Sequence, residues 1–266
     1  MIKTTVKTLL NLKEKSEKIT MITGYDYISA YLAEKAGIHA ILVGDSLGMV
    51  IKGENNTTNV TIEEIIYHSR AVSKGCSLPL IIADLPFMSY QINIEQALIN
   101  ASRCIQEGLA HAVKLEGGKE LAPTIKKLIT SGIPVFGHIG LKPQSINVTG
   151  GYQIQGQNNI EATELLDDAK ALEEAGVSGI ILELIPSKLA KKITESISIP
   201  TIGIGAGPYC DGQIQVWHDI LGLYPNFVPK HTRQFVDLQS IINKALTNYI
   251  ENVKNGQFPN DSEFIE

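Results

Sequence analysis

The stretch SLPLIIADLPFMSYQINIEQALINASRCIQEGLAHAVKLEGG, residues 77–118, decides the fold. It contains two short, largely apolar runs, Leu80–Asp84 and Ala110–Glu116, which we predict to be β-strands. Between them, the apolar side chains of Ile94–Glu107 recur at helical spacing, which predicts an amphipathic helix. Apolar strands joined by such a helix are typical of a parallel sheet that is covered on both faces.

The same strand-then-helix pattern repeats along the whole chain. The predicted strands are Ile19–Gly24, His39–Gly44, Leu80–Asp84, Ala110–Glu116, Ile133–His138, Ser178–Leu184, Thr201–Gly205 and Ile214–His218. About eight such units in roughly 250 residues predict an α/β fold, a (β/α)8 TIM barrel, with a doubly wound open sheet as the alternative. We predict a single domain over residues 1–266, with an N-terminal extension and a C-terminal helix at Val236–Val253.

The composition excludes several classes of partner. The chain has 23 Lys and Arg against 28 Asp and Glu, a net charge of −5, whereas nucleic-acid binding needs concentrated positive charge. No apolar run approaches the roughly 20 residues of a membrane span, and no secretory signal is recognisable at the N-terminus. The three cysteines, Cys76, Cys104 and Cys210, have no C-x-x-C spacing, which predicts reduced thiols and a cytoplasmic protein.

Polar residues follow or end most of the predicted strands. In a TIM barrel these side chains point into a common mouth where chemistry occurs. The strand-end residues are Tyr25 with Asp26, Asp45 with Ser46, Asp84, Lys114 with Glu116, His138 and Glu183. A single one could be a helix cap, but so many are hard to explain by capping. Lys114 and Glu116 lie on the same face of their strand, and burying both is costly unless they pair or bind something.

Three of these residues predict a metal site. Asp45, Asp84 and Glu116 would supply carboxylate oxygens from three neighbouring strands, and oxygen ligands favour Mg²⁺ or a similar divalent cation. The alternative is that these carboxylates pair only with Lys114 and solvent.

Glu183 and His138 are the candidates for proton chemistry and substrate contact. Glu183 lies in the apolar run GIILELIP, which suits a general base, although it could equally be a core acid paired with Lys114. His138 is a candidate by its position at a strand end, and a hydrogen-bonded core residue is the alternative.

The motifs GDSLGM (44–49), ADLPF (83–87), KLEGG (114–118) and GHIGLKPQS (137–145) resemble those of the ketopantoate (3-methyl-2-oxobutanoate) hydroxymethyltransferase family. Together with other matching stretches they run in family order from about residue 20 to 235. The resemblance implies a Mg²⁺-dependent TIM barrel of the phosphoenolpyruvate/pyruvate-utilising type that forms large homo-oligomers, and the family suggests a decamer. It implies transfer of a hydroxymethyl group from 5,10-methylenetetrahydrofolate to 3-methyl-2-oxobutanoate, giving 2-dehydropantoate for pantothenate and coenzyme A synthesis.

The resemblance also implies roles for individual residues. Asp45 and Asp84 would coordinate the metal, with Glu116 helping through water, and the 2-oxo acid would chelate the same ion. Glu183 would be the base. Ser46 and Lys114 would hold the carboxylate of the acid, and the substrate-binding set would comprise Asp45, Ser46, Asp84, Lys114 and His138.

Two other functions stay open at this point. One is a Mg²⁺-dependent lyase or mutase of the same barrel superfamily, although GDSLGM with KLEGG replaces the Cys-containing loop motif of that group. The other is a catalytically silent barrel that binds a 2-oxo acid, although every predicted metal carboxylate and Glu183 are present.

Overall fold

The computed structural model describes residues 3–225, 229–260 and 262–265. Its strands are β1 (Ile19–Thr23), β2 (Ala40–Val43), β3 (Leu80–Asp84), β4 (Ala112–Glu116), β5 (Val135–Gly140), β6 (Gly179–Glu183), β7 (Thr201–Ile204) and β8 (Gly212–Gln215). All eight are parallel, pair in chain order and close through β1 and β8 into a barrel. The predicted TIM barrel is therefore confirmed, and the open sheet is excluded.

Helices follow the strands in the pattern that the sequence predicts. They are α1 (Val6–Glu14), α2 (Tyr27–Ala36), α3 (Leu47–Val50), α4 (Ile62–Gly75), α5 (Ile94–Gln106), α6 (Ala122–Thr130), α7 (Ile146–Thr149), α8 (Asn159–Ala175), α9 (Ser187–Ser196), α10 (Trp217–Ile220) and α11 (Leu238–Lys254), with 3₁₀ turns at Lys119–Leu121 and Pro143–Ser145. The predicted C-terminal helix thus begins two residues later than expected and ends one residue later. None of the helices in the described part of the chain is long and apolar enough to cross a lipid bilayer.

The interior of the barrel is filled by every second residue of the strands. A buried cluster contains Ile19 and Met21 of β1, Ala40 and Leu42 of β2, and equivalent residues of the other strands. Leu9 of α1 belongs to the same cluster and is fully buried, so α1 packs against the barrel interior. Because strand side chains alternate, the residue two positions after an inward-facing one also points inward, and this rule governs the site described below.

The eighth strand differs from the prediction, which put it at Ile214–His218. The strand is Gly212–Gln215, and Trp217 begins α10 instead. Polar Gln213 and Gln215 flank Ile214, so no continuous apolar run marks this strand. Gly212 is needed for closure, because a Cβ at this position would lie 2.5 Å from the Ile19 carbonyl oxygen.

The chain divides into two compact units, Met1–Val216 and Trp217–Glu266. The first contains the barrel. In the second, backbone N–H groups of Phe235 and Leu238 donate to the carbonyls of Ile220 and Leu221, at 2.8 Å and 3.0 Å. The single domain expected over residues 1–266 stays a prediction.

Replacing Leu9 with Ala is expected to lower the free energy of unfolding by about 2–5 kcal/mol, because the change leaves a cavity in the barrel core. Chemical denaturation measures this loss. The matched control is Ile99→Ala on α5, where the side chain is 59% exposed, and we expect a change within about 0.5 kcal/mol. Equal losses for the two variants would show that Leu9 does not contribute to the core.

Candidate active site

Three buried carboxylates meet at the carboxyl ends of neighbouring strands. Asp84 ends β3 two residues after the inward-facing Ile82, so its side chain also points inward. Glu116 ends β4 four residues after the inward-facing Ala112 and points inward for the same reason. Asp45 follows β2 directly in the next turn. One oxygen from each of Asp45, Asp84 and Glu116 lies within 4.8 Å of the other two, so these residues could hold a metal ion.

Lys114 is the ammonium group among these acids. Its Nζ lies 2.9 Å from Asp84 Oδ2 and 3.0 Å from Glu116 Oε1, and all three side chains are buried. Burial acts to lower the pKa of Lys114, but Asp84, Glu116 and Asp45 outweigh burial and raise that pKa well above its usual value. The same cluster lowers the pKa of Glu116 to about 2, because Lys114 and His138 outweigh its burial. Lys114 and Glu116 therefore form a charged pair, as their spacing predicts.

The carboxylates are not fully compensated by Lys114. Asp45 Oδ2 and Asp84 Oδ1 are buried, and neither has a hydrogen-bond partner among the residues that the structure describes. Burial raises the pKa of Asp45 well above its ordinary value, and the charge of Asp84 adds to this effect. When all three carboxylates are ionised, they and the Lys114 ammonium carry a formal charge of −3 + 1 = −2, which burial opposes unless a cation is bound. The buried oxygens of this set therefore fit a hard divalent cation.

His138 and Glu183 extend the site across the next two strands. His138, on β5, lies between two acids, with Nδ1 3.4 Å from Glu116 Oε1 and Nε2 3.3 Å from Glu183 Oε2. Burial and Lys114 act to lower the pKa of His138, but Glu116 and Glu183 raise it to about 9. Glu183, at the end of β6, keeps 16% of its side chain exposed, so it borders the mouth instead of lying in the core. The alternative pairing of Glu183 with Lys114 is wrong: Lys114 contacts Asp84 and Glu116.

Ser46 lies beside Asp45 at the start of α3, where its hydroxyl makes no helix-capping bond. Instead Ser46 Oγ is 2.7 Å from the hydroxyl of Tyr25, which is itself buried. The Tyr25 carbonyl accepts a hydrogen bond of 2.6 Å from His68 Nδ1. Tyr25 therefore holds the Ser46 hydroxyl in place, and Tyr25 is fixed in turn from α4.

Asp26 has a structural role, unlike the other strand-end residues. Its Oδ1 accepts the backbone N–H of Ser29 at 2.7 Å, and the Ser29 hydroxyl bonds back to the Asp26 backbone, so the pair forms the capping box of α2. For this residue the helix-cap alternative is the correct one.

Two buried polar residues beside Glu116 were not found from the sequence. The hydroxyl of Tyr90 and the amide of Gln144 hydrogen-bond to each other at 2.9 Å, and both residues contact Glu116. They lie in the loops after β3 and β5, where no strand periodicity applies. The only signal was their presence inside the stretches ADLPFMSY and GHIGLKPQS.

Comparison with known sequences identifies close relatives. A sequence model described as ketopantoate hydroxymethyltransferase matches residues 3–261. The 3-methyl-2-oxobutanoate hydroxymethyltransferase of Carboxydothermus hydrogenoformans is 54% identical over 261 residues, covering 98% of this chain and 95% of its own. The protein of the same name from Chloroflexus aggregans is 53% identical over 258 residues, covering 97% and 92%.

Comparison with solved structures supports the fold. A phosphonopyruvate hydrolase, solved with oxalate and Mg²⁺, superposes with a TM-score of 0.65 at 14% identity, covering 98% of this chain and 93% of its own. A 2,3-dimethylmalate lyase, described as a member of the PEP mutase/isocitrate lyase superfamily, gives 0.59 at 15% identity, covering 100% and 93%. These two likenesses agree with the (β/α)8 barrel fold.

Proposed function

The chain belongs to the ketopantoate hydroxymethyltransferase family, and we propose that it transfers a hydroxymethyl group from 5,10-methylenetetrahydrofolate to 3-methyl-2-oxobutanoate. The observation behind this proposal is the buried, partly uncompensated trio Asp45, Asp84 and Glu116 in a chain 54% identical to an enzyme named for the reaction. The product would be 2-dehydropantoate, and the pathway would be the synthesis of pantothenate and coenzyme A.

Asp45 and Asp84 would hold Mg²⁺ directly, since each has a buried oxygen without a partner in the described residues. Glu116 would act through a water molecule, because Lys114 lies at its Oε1 and the Gln144 N–H donates to its Oε2. When bound, the cation would draw electrons from the keto group of the substrate and favour loss of the neighbouring proton.

Ser46 and Lys114 would bind the carboxylate of the oxo acid. The Lys114 ammonium lies among the acids, and the Ser46 hydroxyl is oriented by Tyr25. Both groups can donate to an anion, so together they would orient the substrate with its C3 atom towards the open side of the mouth.

Glu183 would take the proton from C3 of the oxo acid. Its carboxylate borders the mouth, and His138 Nε2 lies 3.3 Å from one oxygen, which leaves the other oxygen available. The electron pair of the broken C–H bond then forms the C–C bond to the one-carbon unit. Water supplies the hydroxyl oxygen of the product, and both C–N bonds to the carrier break. The two carrier nitrogens take up the proton from C3 and one proton of that water, and tetrahydrofolate leaves.

An assay with 3-methyl-2-oxobutanoate and 5,10-methylenetetrahydrofolate tests this function directly. Formation of 2-dehydropantoate with a stoichiometric amount of tetrahydrofolate is the expected result. Cleavage of a phosphonate or a dicarboxylic acid would instead indicate a lyase or mutase. Binding of the oxo acid without turnover, in the presence of Mg²⁺, would indicate the silent binding barrel.

Replacing Ser46 with Ala is expected to raise KM for the oxo acid about tenfold, because one hydrogen bond to a carboxylate is lost. Steady-state kinetics measure the effect, and kcat should fall less than kcat/KM. Ser131→Ala, at an exposed position after α6, is the control and should leave both constants unchanged. An unchanged KM in Ser46→Ala would remove Ser46 from the binding set.

We also propose a homo-oligomer, a decamer as in the family, located in the cytoplasm. The apolar residues Tyr27, Ile28, Tyr31 and Leu32 are exposed on one face of α2, which supports contact with further copies. The thiols of Cys76, Cys104 and Cys210 are free, as expected in a reducing compartment. Sedimentation equilibrium tests the assembly, and a monomer at micromolar concentration would contradict it.

A further inference from the structure

The carboxylate of Glu116 is held from several directions. Its Oε1 lies 3.0 Å from Lys114 Nζ, and its Oε2 accepts the backbone N–H of Gln144 at 3.1 Å. The backbone N–H of Glu116 donates to the Tyr90 hydroxyl at 3.1 Å. Glu116 is therefore held at its side chain by Lys114 of β4 and by Gln144, and at its main chain by Tyr90.

Tyr90 and Gln144 form one connected network with Glu116. The Tyr90 hydroxyl lies 2.9 Å from Gln144 Oε1 and 3.0 Å from the Glu116 carbonyl oxygen, to either of which it can donate. Gln144 Nε2 donates to the Leu85 carbonyl at 3.0 Å. Leu85 directly follows Asp84, so the network joins the ends of β3 and β4 to the loop after β5.

The network is buried and its hydrogen bonds are complementary. Tyr90 is 2% exposed and Gln144 is 3% exposed. A tyrosine hydroxyl is protonated at neutral pH, so the Tyr90 hydroxyl can donate as well as accept. A satisfied buried network of this kind fixes one arrangement of its members, because each broken bond would leave a polar group unpaired.

We propose that Tyr90 and Gln144 are positioning residues that hold the Glu116 carboxylate at the divalent-cation site. Neither touches the reacting atoms. The Tyr90 hydroxyl bonds to the main chain of Glu116 and so fixes the end of β4. The side-chain bonds of Gln144 fix its loop, and the backbone N–H of Gln144 then holds Glu116 Oε2. This inference rests on the proposed cation site, and it assigns to that site two residues beyond its ligands and ion pairs.

The test is a calorimetric titration of the metal-free full-length protein with Mg²⁺ alone. Tyr90→Phe keeps the ring and removes only the hydroxyl, and we expect it to raise the Kd for Mg²⁺ about tenfold. Gln144→Met keeps the length of the side chain and removes both Oε1 and Nε2 of the amide. It should weaken Mg²⁺ binding to a similar extent. The Kd of the double variant for Mg²⁺ should be close to that of the weaker-binding single variant, because both changes break the same network.

Kinetics separate positioning from a purely structural role. In both variants the Mg²⁺ concentration for half-maximal activity should rise about tenfold, while kcat at saturating Mg²⁺ returns to within about threefold of the unmodified protein. Tyr67→Phe is the matched control, since Tyr67 is 71% exposed, and it should change neither constant.

Each outcome decides a different point. If the unmodified protein does not bind Mg²⁺, the proposed cation site itself fails. If it binds Mg²⁺ and Tyr90→Phe binds it with a Kd within twofold, the positioning role is overturned. If Tyr90→Phe does not fold, Gln144→Met decides the question by the same twofold criterion. A fall in kcat that saturating Mg²⁺ does not reverse would also overturn the positioning role.

Discussion

Asp84→Ala is expected to weaken Mg²⁺ and 3-methyl-2-oxobutanoate binding together, and to lower kcat/KM by at least about 100-fold. The change removes the carboxylate that has both a free buried oxygen and a 2.9 Å contact with Lys114. The ammonium would then pair with Glu116 alone, and it would turn away from the position proposed for the substrate carboxylate. Calorimetric titrations with Mg²⁺, and with the oxo acid in the presence of Mg²⁺, measure both losses.

Asp167→Ala is the matched control for this variant. Asp167 is exposed on α8, far in sequence from any strand end, and its replacement should leave both titrations unchanged. Oxo-acid binding that persists in Asp84→Ala after Mg²⁺ binding is lost would contradict the proposed chelate, because the acid would not then need the ion.

Glu183→Gln is expected to bind the oxo acid normally and to lose C3–H exchange in the absence of folate, by about 100- to 10,000-fold. Gln has nearly the shape of Glu but cannot accept a proton at neutral pH. The amide can still contact His138, so the local arrangement should persist. Proton NMR in ²H₂O follows the exchange, and calorimetry follows binding.

Glu195→Gln controls for the loss of one negative charge, since Glu195 is 65% exposed on α9. It should exchange the C3 proton at the rate of the unmodified protein. The same rate in Glu183→Gln would remove Glu183 from the role of base. Loss of oxo-acid binding along with exchange would assign Glu183 to substrate binding instead.

The sequence predicted the barrel and most of the candidate site because both depend on local patterns. The apolar runs of β3 and β6 are short and continuous, and the alternation within AVKLE puts Lys114 and Glu116 on one face. Parallel strands in chain order then bring neighbouring strand ends together. Asp45, Asp84 and Glu116 follow from these rules without any knowledge of long-range contacts.

The parts that escaped prediction depend on contacts between distant residues. Tyr90 and Gln144 are 54 positions apart and lie in loops, so no period marks them as partners. Strand β8 has a glycine where its backbone approaches β1, and it has glutamines at alternate positions. It therefore lacks the apolar run by which the other strands were predicted. Asp26 looked like a site residue because a capping box and a catalytic strand end have the same local sequence signature.

The order of strands around the barrel gives the site a modular organisation along the gene. The proposed cation ligands and Lys114 all come from β2 to β4 or the turn after β2, whereas His138 and Glu183 come from β5 and β6. One junction, between β4 and β5, separates the two groups, and it is bridged by the 3.4 Å contact of His138 with Glu116. A laboratory-evolution library confined to Glu183 could therefore explore new proton-transfer chemistry while the proposed cation site and its contact with His138 are inherited unchanged.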